Sequence, residues 1–208
     1  MNNSMLIMCR GNSLSRVQEI NQKYEQYGII NEWKDQLEQE TFKELLIGKN
    51  MMHYVNRDAR VILPKYQYDE YNIKYCQLNV LEPEYNRSPI RQVLNNSGIE
   101  TEFMCEDLVK YSSNGRGGFP STGVMALVHS VVCLKKKNVC VIGMDFFEDD
   151  YYTHHTNLGV KEVQEYQKKK NINMKPFVTN FLKQNKEVNF VFYTNSSFDP
   201  KLDHVEIR

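Results

Sequence analysis

The run Val139-Cys140-Val141-Ile142-Gly143 is apolar without interruption and ends in a glycine. A strand that reads this way is buried on both faces, and such strands belong to parallel sheets covered by helices. Met5-Leu6-Ile7-Met8-Cys9 repeats the pattern, and Gly11-Asn12-Ser13 follows as a tight turn at its carboxyl end. Ile29-Ile30-Asn31, Met51 to Val55, Arg60 to Leu63, Glu100 to Met104 and Asn189 to Tyr193 read as further strands, and the last residues as an edge strand. Helical stretches lie between them. Arg16 to Gln26 is capped by Ser15 and broken by Gly28. Glu38 to Ile47 stops at Gly48, and Pro89 to Leu94 is short. Val124 to Leu134 is apolar, while Val160 to Lys169 and Lys175 to Lys183 are charged. Residues 64 to 87, rich in Tyr, Asn, Glu and Pro, show no readable element. This alternation predicts an α/β fold: a Rossmann-like, mostly parallel sheet with helices on both faces. With 208 residues the chain fits one domain, residues 1–208.

Charge and composition narrow the function. The 26 basic residues balance the 26 acidic ones, which argues against a general nucleic-acid binder with its basic face. Hydrophobic residues at 41% supply a core and argue against disorder. No segment approaches the ~18–20 apolar residues of a membrane span. Met1 to Met8 lacks the basic region of a secretory signal, so a soluble, cytoplasmic protein is expected. The five cysteines, Cys9, Cys76, Cys105, Cys133 and Cys140, form no Cys-x-x-Cys and read as reduced, mostly packed thiols. A homo-oligomer is compatible with the Tyr-rich residues 64 to 87.

In parallel sheets ligands bind outside the carboxyl ends of the strands. Gly11-Asn12 after the first strand, Asn31 and Asn56 after later ones, and Asp145 onward after Gly143 fall at such ends, and three segments carry candidate chemistry. Gly11-Asn12-Ser13 lets a ligand approach the backbone and offers amide donors and acceptors; taken alone it is also an ordinary strand–helix turn. Gly117-Gly118-Phe119-Pro120-Ser121-Thr122-Gly123 opens the apolar helix, and helix N–H groups with Ser and Thr hydroxyls suit a phosphate or carboxylate. Plain capping by Ser121 or Thr122 needs less than this. Asp149-Asp150-Tyr151-Tyr152-Thr153-His154-His155 follows the clearest strand. A histidine there suits general-base work, and a tyrosine hydroxyl suits a leaving phosphate; the bland reading is a solvated loop. His53, His129 and His204 read as packed or solvated. No third and fourth ligand sits at metal spacing, and no Asp-x-Asp occurs, so no metal site is expected.

Arg116-Gly117-Gly118-Phe119-Pro120-Ser121-Thr122-Gly123 resembles the small sialyl motif of the animal-type, family-29 sialyltransferases, where Tyr-Pro-Ser-Thr-Gly opens a helix. Ser121-Thr122-Gly123-Val124, a helix, and then Val141-Ile142-Gly143-Met144-Asp145-Phe146-Phe147 resemble the bacterial family-42 sialyltransferases. Gly11-Asn12-Ser13, Asn31, Asn56 and His154-His155 before Val160 are similar to that family's turn, asparagines and histidine. The likeness runs in islands from residue 5 to about 170. It implies a glycosyltransferase that is metal-independent and inverting, with CMP-sialic acid as donor and a glycan as acceptor. By carry-over, Asn12, Asn31 and Asn56 contact the donor nucleotide and phosphate. Ser121, Thr122 and Gly123 hold donor oxygens, and Gly143 and Phe146 border the cytosine. His154 or His155 is the base. Phe147 stands where family 42 has a tyrosine, so Tyr151 or Tyr152 must supply that hydroxyl, or it is missing; the resemblance also makes the short, lid-like loop at about 147–160 a reduced lid over the donor. Two other readings stay open: an ATP- and metal-dependent enzyme of pyrophosphokinase type, and a catalytically inactive nucleotide-sugar-binding module.

Overall fold

The computed structural model describes residues 3–56, 62–79, 94, 98–111, 121–148, 165 and 174–208. Eight strands form one sheet: β1 Ser4–Met8, β2 Gln26–Ile30, β3 Met51–Val55, β4 Tyr75–Leu78, β5 Glu100–Glu102, β6 Asn138–Ile142, β7 Asn189–Tyr193 and β8 Val205–Ile207. Their order is β5-β4-β3-β2-β1-β6-β7-β8, and all seven pairings are parallel. Among the described residues the helices include α1 Lys34–Leu37, α2 Glu40–Leu46, α3 Lys65–Glu70, α4 Glu106–Val109, α5 Thr122–Val132 and α6 Met174–Gln184, with a 3₁₀-helix at Asn12–Glu19.

The pleat sorts the strand residues onto two cores. Met5 and Ile7 of β1, Val139 and Val141 of β6, and Phe190 and Phe192 of β7 pack against α5 and α6. Leu6, Met8, Cys140 and Ile142 point the other way, onto Leu14, Trp33, Phe42 and Leu46. Trp33 meets Phe42 edge to face at 5.2 Å. Each side chain of this size contributes about 1.5–3 kcal/mol when fully buried, and the central strands bury theirs on both faces, so β1 after Ser4 and β6 after Asn138 are wholly apolar. Helix α5 is buried from Thr122 to Val131, which accounts for its apolar circumference.

The structure corrects several local expectations. Gly28 lies inside β2 and breaks nothing. A Cβ there would come within 2.8 Å of Met5 Cε and Tyr54 Cε2, so the missing side chain makes room for the neighbouring strands. The segment before it is a 3₁₀-helix that ends at Glu19, and β2 begins at Gln26. Ser15 donates to the Asn12 carbonyl (2.8 Å) and does not cap; Gly11 is the N-cap residue. The helix expected at Glu38 to Ile47 is α2, Glu40–Leu46, and Gly48 follows with φ +74°. Ile62 and Leu63 lie in no strand. Residues 64 to 87 contain α3 and β4. Among the described residues no helix is long and apolar enough to cross a membrane. The charged helix expected at Val160 to Lys169 falls almost wholly outside the described residues.

Candidate functional site

The chain builds the sheet outward from β1 through β5, then returns to β6 on the other side of β1. Between β1 and β6 the connections diverge, and the carboxyl ends open into a crevice suited to a ligand. A cleft of about 100 Å³, open to solvent, lies there. Its walls come from Cys9 to Gly11 after β1, Ile30 and Asn31 at the end of β2, Ser121 to Gly123 at the start of α5, and Gly143 to Phe147 after β6.

The floor is a close approach of two turns. The Gly11 N–H donates to the Gly143 carbonyl at 2.7 Å, and a Cβ on Gly11 would lie 2.4 Å from Asp145 Oδ2. Asp145 is buried, and its carboxylate ties three strand ends together. Oδ2 accepts from the Ser13 N–H (2.8 Å), and Oδ1 accepts from the Asn195 N–H (2.9 Å). The hydroxyls of Ser13 (2.6 Å) and Thr194 (3.1 Å) also contact Oδ1. Ser13 Oγ in turn accepts from the Gly143 N–H at 3.0 Å. A buried carboxylate is tolerable when its lone pairs are met in this way, and these bonds fix the ends of β1, β6 and β7 relative to one another.

Ser121 is the N-cap of α5, with its hydroxyl accepting from the Val124 N–H at 3.2 Å. The N–H groups of Thr122 and Gly123 belong to the first turn, which has no intrahelical acceptors, at the positive end of the helix dipole. Arg10 is the one cation among the described lining residues; its guanidinium pairs with Glu32 at 3.1 Å. Cys9 also lines the cleft, but burial, with Asp145 adding to it, pushes its thiol far above the usual range and keeps it protonated.

Three lining residues adopt positive φ without being glycine: Asn31 (60°), Phe146 (52°) and Phe147 (60°). Each such conformation costs about 1–3 kcal/mol and persists only where surroundings enforce it. For Asn31 the surroundings are explicit. Its N–H donates to the Tyr54 carbonyl (2.7 Å), its Oδ1 accepts from the Asn56 N–H (3.0 Å), and His53 Nε2 donates to its carbonyl (2.5 Å). Because that partner is only an acceptor, His53 carries its proton on Nε2, and Nδ1 accepts from Tyr68 Oη at 2.9 Å. Burial lowers the His53 pKa to about 4, so the ring is neutral. Phe146 stacks on Phe198 with ring centroids 4.6 Å apart, and the Lys175 Nζ stands 5.7 Å from its ring.

Of the residues singled out from sequence, Gly11, Asn31, Ser121, Thr122, Gly123, Gly143 and Phe146 surround this one cleft. Asn12 is exposed beside it, Ser13 is buried beneath it on Asp145, and Asn56 reaches it through Asn31. Tyr151, Tyr152, His154 and His155 lie outside the described residues, as do most of the lid-like loop and the glycine-rich approach to Ser121. Sequence reasoning passed over Arg10, Thr194 and Asn195. A cation between a buried strand and Gly11 was a visible signal, as was the polar pair after the apolar run of β7.

The fold and the cleft define an α/β protein with an anion-suited crevice at its topological switch point. No family model matches the chain. No curated protein matches it either. Solved structures do. One is the sialyltransferase CstII from Campylobacter jejuni in complex with a substrate analogue, cytidine-5'-monophosphate. It is 13% identical, with a TM-score of 0.55, over 94% of this chain and 82% of that one. Another is a tyrosine-to-phenylalanine variant of CST-II in complex with CMP, 12% identical, TM-score 0.58, over 96% and 85%. The likeness is one of fold.

Proposed function

We propose that the protein is a sialyltransferase that moves sialic acid from CMP-sialic acid to a hydroxyl of a sugar acceptor, with inversion and without a metal. The observation that carries this reading is the cleft: a capped helix N-terminus faces two glycine turns and a left-handed asparagine, in a sheet like that of transferases solved with CMP. In this reading the N-terminal turn of α5, with Ser121, Thr122 and Gly123, takes the donor's anionic oxygens, and Arg10 adds positive charge beside it. Asn12, Asn31 and Asn56 hold nucleotide and phosphate, and Gly143 and Phe146 border the base. His154 or His155 removes the acceptor hydroxyl's proton as that oxygen attacks the anomeric carbon. The bond from that carbon to the CMP oxygen breaks, and a hydroxyl from Tyr151 or Tyr152 donates to the departing phosphate.

Phe147 favours a second reading. It lines the cleft and offers no hydroxyl to a leaving group. A binding module would keep the donor site and lack turnover.

The test is CMP release from CMP-sialic acid, with and without a galactose-terminated acceptor and with EDTA, for wild type, His154→Ala and His155→Ala. Release should rise with acceptor, ignore EDTA and collapse in one variant. Saturable CMP binding without release selects the binding module. Dependence on ATP and loss of activity in EDTA would overturn both.

A further inference from the structure

Three of the five cysteines, Cys9, Cys76 and Cys140, are buried. The other two are not, and they meet. Cys105, exposed, is the N-cap of α4; Cys133, half-buried, is the C-cap of α5; their sulfurs lie 3.5 Å apart across 28 positions of sequence. Leu108 of α4 is fully buried in the same core as Val128 and Val131 of α5, so helix packing holds the pair in place. An S–S bond of ~2.05 Å requires the sulfurs to close by about 1.5 Å. Both residues stand at helix ends, where backbone torsions adjust without breaking a helical ladder. The expectation of reduced, mostly packed thiols holds, with all five free and three buried; Cys105 and Cys133 are the two that are not packed away.

We propose that Cys105 and Cys133 form a covalent modification site at which a small-molecule disulfide, such as oxidised glutathione, installs an internal disulfide. The exposed Cys105 meets the reagent first: its thiolate attacks one sulfur, forms a mixed disulfide and expels one thiolate. The Cys133 thiolate then attacks Cys105 Sγ, forms the internal bond and expels the second. The two protein thiol protons pass to the two released thiols, and the reagent is reduced by two electrons. Burial and the neighbouring Cys105 push the Cys133 thiol up to about 12, so the second step is the slower one and the mixed disulfide precedes the product. The bridge pins the far end of the helix whose first turn lines the cleft.

The experiment treats the full chain under native conditions with oxidised glutathione, followed by intact mass and peptide mapping. The expected product has lost two hydrogens, links Cys105 to Cys133, melts roughly 5–10 °C higher and reverts with dithiothreitol. Cys133→Ser should stop at one glutathione on Cys105, and Cys105→Ser should stay unmodified at this site. A wild type that halts at the mixed disulfide, links other cysteines or stays unmodified overturns the proposal. None of these readouts depends on the function proposed above.

Discussion

Gly143 follows β6 with φ +77°, and a Cβ there would lie 2.5 Å from the Cys9 carbonyl oxygen and 2.7 Å from its carbon. Both obstacles are backbone directly after β1, where the Cys9 N–H is bonded to the Ile142 carbonyl, so neither yields easily. Gly48 offers the contrast: its φ is +74°, yet nothing lies within 4 Å of an added Cβ. Gly143→Ala should therefore destabilise by about 2–5 kcal/mol, the left-handed penalty plus the clash, while Gly48→Ala should lose only about 1–2. Urea unfolding of the two variants against wild type checks this; equal losses would mean that the clash is relieved and the turn is softer than described. Asp145 belongs to the same scale. Its position after Gly143-Met144 was plain in the sequence, but its use as a tie for the ends of β1, β6 and β7 was not, because Ser13, Thr194 and Asn195 come from distant parts of the chain.

At the scale of elements, burial decided what could be read. Strands β1 and β6 lie between two cores, so after their first residues, Ser4 and Asn138, they are unbroken apolar runs, and α5, buried all round, is equally plain. Short or mixed elements were hidden. Strand β4, Tyr75–Leu78, has an exposed tyrosine and a buried glutamine, so neither alternation nor a continuous run marks it. Gly28 reads as a breaker because its reason, the Tyr54 ring from β3, is a tertiary contact. The same holds for the site. Its glycines and the Ser-Thr-Gly helix start are local signals, whereas the left-handed turns at Asn31, Phe146 and Phe147 are imposed by contacts made after folding. Ser121 lets the cap be separated from ligand binding. Ser121→Ala removes the acceptor for the Val124 N–H and should cost about 1 kcal/mol. Ser121→Asp keeps a good cap, so stability should hold. Its carboxylate would face the phosphate that the proposed function places there, and CMP affinity should fall roughly tenfold or more. Calorimetric binding of CMP to both variants gives the answer; unchanged affinity in Ser121→Asp would move the phosphate away from α5.

At the scale of the molecule, each face of the sheet buries a histidine. His53 on β3 sits with Tyr68 and Cys76, and His129 on α5 bonds Tyr54 Oη at 3.0 Å, 4.0 Å from the Glu102 carboxylate. Burial lowers both from the ordinary 6.5 to about 4. Between these values the unfolded chain binds protons that the folded protein refuses, so stability rises with pH through this window and is lost as pH falls. From pH 7 to 5 the loss should be about 2 kcal/mol per histidine, or about 4 for the pair. The interval from pH 7 to 5 reads mainly the histidines, because lowered carboxylates release most of their share at lower pH. Glu25, held low by the Asn3 N–H and Lys136, releases its share only below its ordinary 4.5. Urea unfolding at intervals from pH 7 to 5 should show this decline, and His53→Gln should remove about half of its slope while lowering stability at pH 7. A flat profile would mean that water or motion reaches both rings. A slope unchanged in His53→Gln would place the titration in His129 and leave the ring beneath Asn31 free to take up a proton without unfolding the sheet.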